Sequence, residues 1–148
     1  MKIGILSDTH GLLKEKVLEH LKSCQVLFHA GDVGGIEILD RLKQIAPVYC
    51  VEGNNDLKEM GLEKSLEIEL EGYKFFMIHD LKTIKELPKG YDFIISGHSH
   101  QFDMHYKNKT TYINPGACGK KRFGLPLTMV LMDLEQDKTM QIQLIQLD

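Results

Sequence analysis

Apolar residues recur along this chain in two rhythms, and the change from one to the other outlines the fold. Residues 3–6 are a short continuous apolar run, as in a strand buried on both faces. Over residues 14–23 the rhythm is helical. Leu13, Val17, Leu18 and Leu21 share one face, and Lys14, Glu15, Glu19 and Lys22 lie opposite, which predicts an amphipathic helix on a sheet. A second strand is predicted at 26–28. A second helix carries Ile36, Leu39, Leu42 and Ile45 on one face and stops at Pro47, and a third strand follows at 48–51. This β-α-β-α-β order with short loops predicts a parallel sheet joined by right-handed crossovers.

Past residue 64 the period drops to two. Residues 65–71 alternate, Gly72 supplies a turn, and 73–78 run back, so a hairpin is predicted. A short helix is predicted over 81–87, ended by Pro88, and a buried strand over 92–96. Further strands are predicted at 102–106, 110–113, 128–134 and 139–147. Turns are expected at Asn108-Lys109, at Asp137-Lys138 and, sharply, at Asn114-Pro115-Gly116. The last strand alternates Gln141, Ile142, Gln143 and Leu144, with one face buried and one wet, and could lend an edge to a homo-oligomer. With no linker, repeat or low-complexity stretch, the chain reads as one domain over residues 1–148. Two mixed β-sheets face to face with helices outside, an α/β sandwich, satisfy both halves of the pattern.

Composition narrows the class. The 148 residues are 43% hydrophobic and 26% charged, typical of a soluble globular domain long enough for a real core. A net charge of −3 gives no footprint for stable nucleic-acid or membrane binding. No apolar run approaches the roughly 20 residues that span a bilayer. The N-terminus passes from Lys2 straight into the first strand without a leader-like stretch, so a cytoplasmic location is expected. Cys24, Cys50 and Cys118 form neither a disulfide framework nor a structural zinc spacing. The first two read as small buried side chains, and Cys118, in a glycine-rich loop, is the one to test for reactivity. His20 and His105 read as solvated, His29 as a core histidine, and the methionines as core.

Polar side chains punctuate the ends of five apolar runs: Asp8 with His10; Asp32; Asn54 with Asn55 and Asp56; His79; and His98 with His100. In open α/β sheets, sites form beyond the carboxyl ends of strands. Two residues apart on extended backbone, Asp8 and His10 can aim at one point. Two carboxylates, four imidazoles and one amide are too many for a single tetrahedral ion and suit two ions sharing a ligand, with Asp32 the natural bridge. Nitrogen and oxygen donors without thiolate suit manganese, iron, zinc, cobalt or nickel better than calcium or magnesium. Two divalent ions would outweigh two carboxylates and draw in an anion and a hydroxide, the arrangement that two-metal hydrolysis of phosphate esters needs.

With these motifs in place, Asp8-Thr-His10, Gly31-Asp32, Gly53-Asn54, His79 and Gly97-His98-Ser99-His100, the chain resembles the calcineurin-like metallophosphoesterases, in particular their small single-domain bacterial and archaeal phosphodiesterase branch. The resemblance implies a four-layer αββα sandwich with a dinuclear centre. It implies that Asp8, His10, Asp32 and His100 hold one ion, and Asp32, Asn54, His79 and His98 the other, with Mn²⁺ the first choice. It also implies that Asp32, Asn54 and His98 serve catalysis, and that a metal-bridging hydroxide attacks a small phosphoester such as a cyclic nucleotide, a nucleotide diester or an aryl diester. The alternative is a non-catalytic scaffold of the same fold, since a eukaryotic retromer subunit resembles it and works mainly by binding proteins. Two positions depart from the family. Asn55 stands where many members carry a histidine that protonates the leaving group, and Asp80 follows His79 where glycine is usual. Asp80 is expected either to orient His79 or to crowd its loop. Asn114 is expected near the outer shell of the metals on the resemblance alone. Lys120-Lys121-Arg122 reads either as a solvated loop or as a cationic rim for an anionic substrate. Asp56 is expected to be structural.

Overall fold

The computed structural model describes residues 1–137 and 139–148; Lys138, and with it the expected Asp137-Lys138 turn, lies outside them. The first apolar runs become β1 (Lys2–Leu6), β2 (Val26–His29) and β3 (Val48–Cys50), which pair in parallel. The crossovers are α1 (Glu15–Leu21) and α2 (Ile36–Lys43). Two late strands, β9 (Thr128–Leu134) and β10 (Met140–Gln146), return to this sheet antiparallel, so its order is β10-β9-β1-β2-β3.

The second sheet starts with the expected hairpin, β4 (Ser65–Leu70) and β5 (Tyr73–Ile78). β6 (Phe93–Ile95) pairs in parallel with β5 and with β8 (Thr110–Pro115), and β7 (Phe102–Lys107) closes the edge against β8. The order is β4-β5-β6-β8-β7. The β7–β8 hairpin turns at Asn108 and Lys109, both with positive φ (52° and 67°), as a two-residue turn matching the strand twist requires.

Between the sheets lies an aromatic-rich core. Phe28 meets Phe75 edge-on with ring centroids 5.1 Å apart, and Phe75 stacks on Phe93 at 5.0 Å. Ile3, Ile5, Ile95 and Ile113 surround them. A second core, built from Leu6, Val17, Leu21, Leu39 and Leu42, seals the helices onto the outer face of the first sheet.

Two local expectations are corrected. The helix expected over 81–87 is only a 3-10 turn at Leu81–Thr83. Ile84 is already extended at φ −109° and ψ 140°, because β-branched Thr83 and Ile84 disfavour the helix and Pro88 pushes its predecessor out of it. The fourth layer is therefore thin: Tyr91 from the irregular stretch packs on Phe76 at 5.5 Å and puts its hydroxyl on Glu67. The sharp turn expected at Asn114-Pro115-Gly116 is also displaced, since Asn114 and Pro115 end β8, paired with Asp103 and Phe102. The chain turns only at Gly116, where φ is +80°.

Candidate metal centre

The carboxyl ends of β1, β2 and β3 in one sheet and of β5 and β6 in the other converge at one rim. Backbone bonds lace the loops beyond them. Asp8 N donates to Gly31 O at 3.0 Å, His10 N to Asp32 O at 3.0 Å, and Gly97 N to His79 O at 2.9 Å. Asp8, His10, Asp32, His98 and His100 all have φ between 47° and 74°, five of the nine non-glycine residues with positive φ among those described. Left-handed backbone turns successive side chains inward instead of letting them alternate.

All seven side chains singled out from the sequence come together. Asp8 Oδ1 lies 3.6 Å from His10 Nε2, 3.5 Å from His100 Nε2 and 4.0 Å from His79 Nε2. Asp32 Oδ2 lies 3.6 Å from His10 Nε2 and 3.4 Å from His79 Nε2. Asn54 Oδ1 stands 3.0 Å from His79 Nε2 and 3.2 Å from His98 Nδ1. Asp8, His10 and His100 form one set whose ligand atoms lie within 4.8 Å of one another, and Asp8, Asp32 and His79 another.

The donor chemistry fits cations. Among the described residues, fully buried Asp8 Oδ1 has no hydrogen-bond partner, although its sister Oδ2 accepts from Ser7 Oγ at 2.7 Å and from His98 N at 3.1 Å. An orphaned buried carboxylate oxygen is costly unless something positive faces it. His79 Nδ1 donates to Ala30 O at 2.7 Å, which turns the Nε2 lone pair toward Asp32 and Asn54. The Nε2 atoms of His10 and His100 point at each other across 3.3 Å. Nitrogen and oxygen lone pairs facing inward at this spacing repel one another unless ions lie between them.

Electrostatics differ across the cup. Burial pushes the Asp8 carboxyl above its ordinary range. Burial would raise Asp32 too, but the two hydrogen bonds from Asn55 and the neighbouring His79 ring hold it far below. Burial lowers His10 and His100, and the Arg122 charge pushes both in the same direction. Within the basic run, Lys121 is taken up by Asp148 at 3.0 Å and Arg122 is exposed.

The neighbours are resolved as well. Asn55 holds Asp32, its backbone N on Oδ1 at 2.9 Å and its Nδ2 on Oδ2 at 3.1 Å. Asp56 is structural, as expected. Its two oxygens accept from the backbone N–H groups of Asp32, Val33, Gly34 and Gly53 at 2.9–3.2 Å, tying the β2 and β3 loops together. Among the described residues, the partner of His79 Nδ1 is Ala30 O, so Asp80 is not the group that orients His79. One oxygen caps Lys82 N at 3.0 Å and the other lies 3.6 Å from His98 Nε2. Asn114 braces the histidine loop by donating to Gly97 O at 2.8 Å and Ser99 Oγ at 3.1 Å. His29 is a core histidine, fully buried, with Nε2 3.0 Å from Thr9 Oγ1. His105 is exposed but not free: it stacks on Tyr112 at 4.8 Å and bonds Asp103 at 2.6 Å. Cys118 is fully buried with its thiol pushed up to about 12, so the reactive-thiol idea is set aside.

Glycine fits two motifs for a steric reason. A Cβ at Gly53 would meet Asp32 Oδ1 at 2.2 Å, and one at Gly97 would meet Ser7 Oγ at 2.1 Å. Sequence reasoning passed over Ser7, which bonds Asp8, and Phe123, whose ring lies 5.8 Å from that of His100. An aromatic set among Lys120, Lys121, Arg122 and Gly124 was the available signal for the second. Beside Asn55 opens a cleft of about 450 Å³ walled by Gly34, Ile36, Leu57 and Met60.

Known proteins resemble the chain in sequence and in fold. The profile of the calcineurin-like phosphoesterase superfamily domain matches residues 1–137. A probable metallophosphoesterase of Methanothermobacter thermautotrophicus is 33% identical, the match covering 88% of this chain and 85% of that one. A phosphodiesterase of Methanocaldococcus jannaschii is 29% identical over 97% of this chain and 99% of its own. Among solved structures, a single mutant of Vps29 from Entamoeba histolytica superposes with a TM-score of 0.80 at 18% identity over the whole of both chains. An archaeal phosphodiesterase superposes at 0.75 and 23% identity, covering 98% of this chain and all of its own. At these identities the superpositions establish the fold.

Proposed function

The chain belongs to the calcineurin-like phosphoesterase superfamily, and within it we propose a dinuclear metal-dependent phosphoesterase that prefers small phosphodiesters. The observation that carries the reading is the unpartnered, buried Asp8 Oδ1 facing three histidine nitrogens within 4.0 Å. Asp8, His10, Asp32 and His100 would hold one divalent ion, and Asp32, Asn54, His79 and His98 a second, with Asp32 shared. Mn²⁺ is the first candidate for a donor set of this kind, followed by Ni²⁺, Fe²⁺, Zn²⁺ and Co²⁺. Bound there, such ions would supply Lewis acidity and would lower the pKa of water toward neutrality.

The side chains contribute position and exclusion. Asn55 fixes the Asp32 carboxylate with two hydrogen bonds, which preorganises the shared ligand. Exposed His98 stands at the open side of the cup, where a phosphoryl oxygen can be met by its ring. Asn55 cannot protonate a leaving alkoxide near pH 7, which favours esters whose leaving group departs as a stable anion. A Vps29 solved with zinc shares the fold, and an interaction scaffold is the competing reading. The complete ligand set favours hydrolysis.

The test is metal-stripped protein assayed with bis-p-nitrophenyl phosphate and p-nitrophenyl phosphate while Mn²⁺, Ni²⁺, Zn²⁺ and Mg²⁺ are added in turn. We expect a transition metal to restore turnover, with the diester preferred. Asp32→Asn should lose at least about 100-fold, the scale set by disturbing a metal's ligands. No turnover with any metal, or an undiminished Asp32→Asn variant, would falsify the hydrolase reading.

A further inference from the structure

Phe123 is 80% exposed, the highest value among the described large hydrophobic side chains. Exposure of a single apolar residue is ordinary. Its place is not. The ring stands edge-on to His100, 5.8 Å between centroids at 76°, and so borders the cup directly. The backbone there has φ +56°, a left-handed conformation unusual for a bulky residue, followed by Gly124 at +65°. The base of the loop is clamped: Cys118 N donates to Ser7 O at 3.3 Å, and Gly119 lies so close to Thr9 that a Cβ would meet its carbonyl at 2.0 Å. A turn from Arg122 O to Leu125 N (3.0 Å) carries the tip. The loop therefore presents an aromatic face at the rim, on the His100 side, with exposed Arg122 next to it in the chain.

We propose that Phe123, with Arg122 beside it, is a stacking platform that selects phosphodiesters carrying an aromatic ring, such as a nucleobase, on the part of the substrate that does not leave. The guanidinium attracts the phosphate, and the exposed ring offers a flat apolar surface to the base. Base–aromatic stacking tolerates any base because each has a π-face, so the platform selects nucleotidyl over alkyl diesters without reading sequence. The inference rests on the phosphodiesterase reading above and names its substrate class.

The experiment compares two substrates that release the same p-nitrophenolate: thymidine 5′-(p-nitrophenyl phosphate) and methyl p-nitrophenyl phosphate. The readout is the ratio of their kcat/KM values with metal-loaded protein. We expect the wild-type chain to favour the thymidine ester about tenfold. Phe123→Ala should bring the ratio close to one, chiefly through KM, and Phe123→Trp should keep it. Because both substrates meet the same protein sample, partial unfolding cancels from the ratio. A wild-type ratio near one, or a Phe123→Ala ratio equal to wild type, overturns the platform while leaving the hydrolase reading intact. Failure of the loaded wild type to cleave either ester overturns the hydrolase reading and the platform with it.

Discussion

His29 lies beneath the cup without belonging to it, and its environment sets a pH dependence of its own. Burial drives its pKa down to about 3, with the nearby His79 adding to the effect. Its Nδ1 accepts from Gly31 N at 3.1 Å and its Nε2 faces Thr9, so the neutral ring is the one the fold accommodates. Above the ordinary histidine pKa of about 6.5 both folded and unfolded forms are neutral, and this contribution to stability is fully present. Below it the unfolded chain takes up a proton that the folded chain refuses. Stability then falls by up to about 1.4 kcal/mol per pH unit until the folded pKa is reached. Urea denaturation at pH 7 and pH 5 should show a shallower loss for His29→Gln than for wild type. Identical slopes would mean that His29 is not the group refusing the proton. Asn55 adds a second lesson at this scale. Read from the sequence it marks a missing acid; in the fold it is a clamp, with two bonds to Asp32. Its partner lies 23 positions away, so only the folded loops reveal the role.

The Asp56 bracket does for two loops what a cap does for a helix. One carboxylate satisfies four backbone N–H groups drawn from the β2 and β3 loops. Asp56→Ala leaves those donors without their acceptor, and charged-group hydrogen bonds are worth about 1.5–3 kcal/mol each before water replaces any of them. We expect a loss of about 2–4 kcal/mol in chemical denaturation, well beyond an ordinary surface change. Metal affinity by calorimetry should weaken alongside it, because Asp32 and Gly53 ride on the same bracket. A variant with unchanged stability would show that the loops hold their shape without it. The two helices and the first three strands were legible because their signals are local: period 3.6, short continuous apolar runs, and proline at the boundary. The stretch over 81–87 misled because Leu81, Ile84 and Leu87 do carry a helical spacing, while the β-branched pair and Pro88 oppose it.

For the whole molecule, the two aromatic-rich faces meet through apolar side chains, none of which is a candidate metal ligand. Phe28, Phe75 and Phe93 are buried between the sheets, and the loops of the cup are tied by their own backbone bonds. Metal-stripped protein should therefore keep a single cooperative thermal transition, and saturating metal should raise Tm by mass action. A stripped chain that melts without a transition would show that folding needs the ions. The convergence of the seven site residues was legible because each follows an apolar run, and parallel strands put their carboxyl ends on one rim. Strand order in the second sheet was not legible. β8 inserts between β6 and β7, and β9 with β10 returns to the first sheet, pairings that depend on contacts distant in sequence. The thin fourth layer was hidden for the same reason, since an irregular segment covering Phe76 has no periodicity to read.

The left-handed backbone at Asp8, His10, Asp32, His98 and His100 also has an evolutionary side. At such positions glycine or asparagine would sit more comfortably, each relieving about 1 kcal/mol. A library screened for heat tolerance alone would enrich those replacements at 10, 98 and 100, and the winners would be firmer proteins with an empty rim. Selection for endurance and selection for chemistry therefore pull these three histidine codons in opposite directions, and variants ranked by one screen should come out inverted in the other.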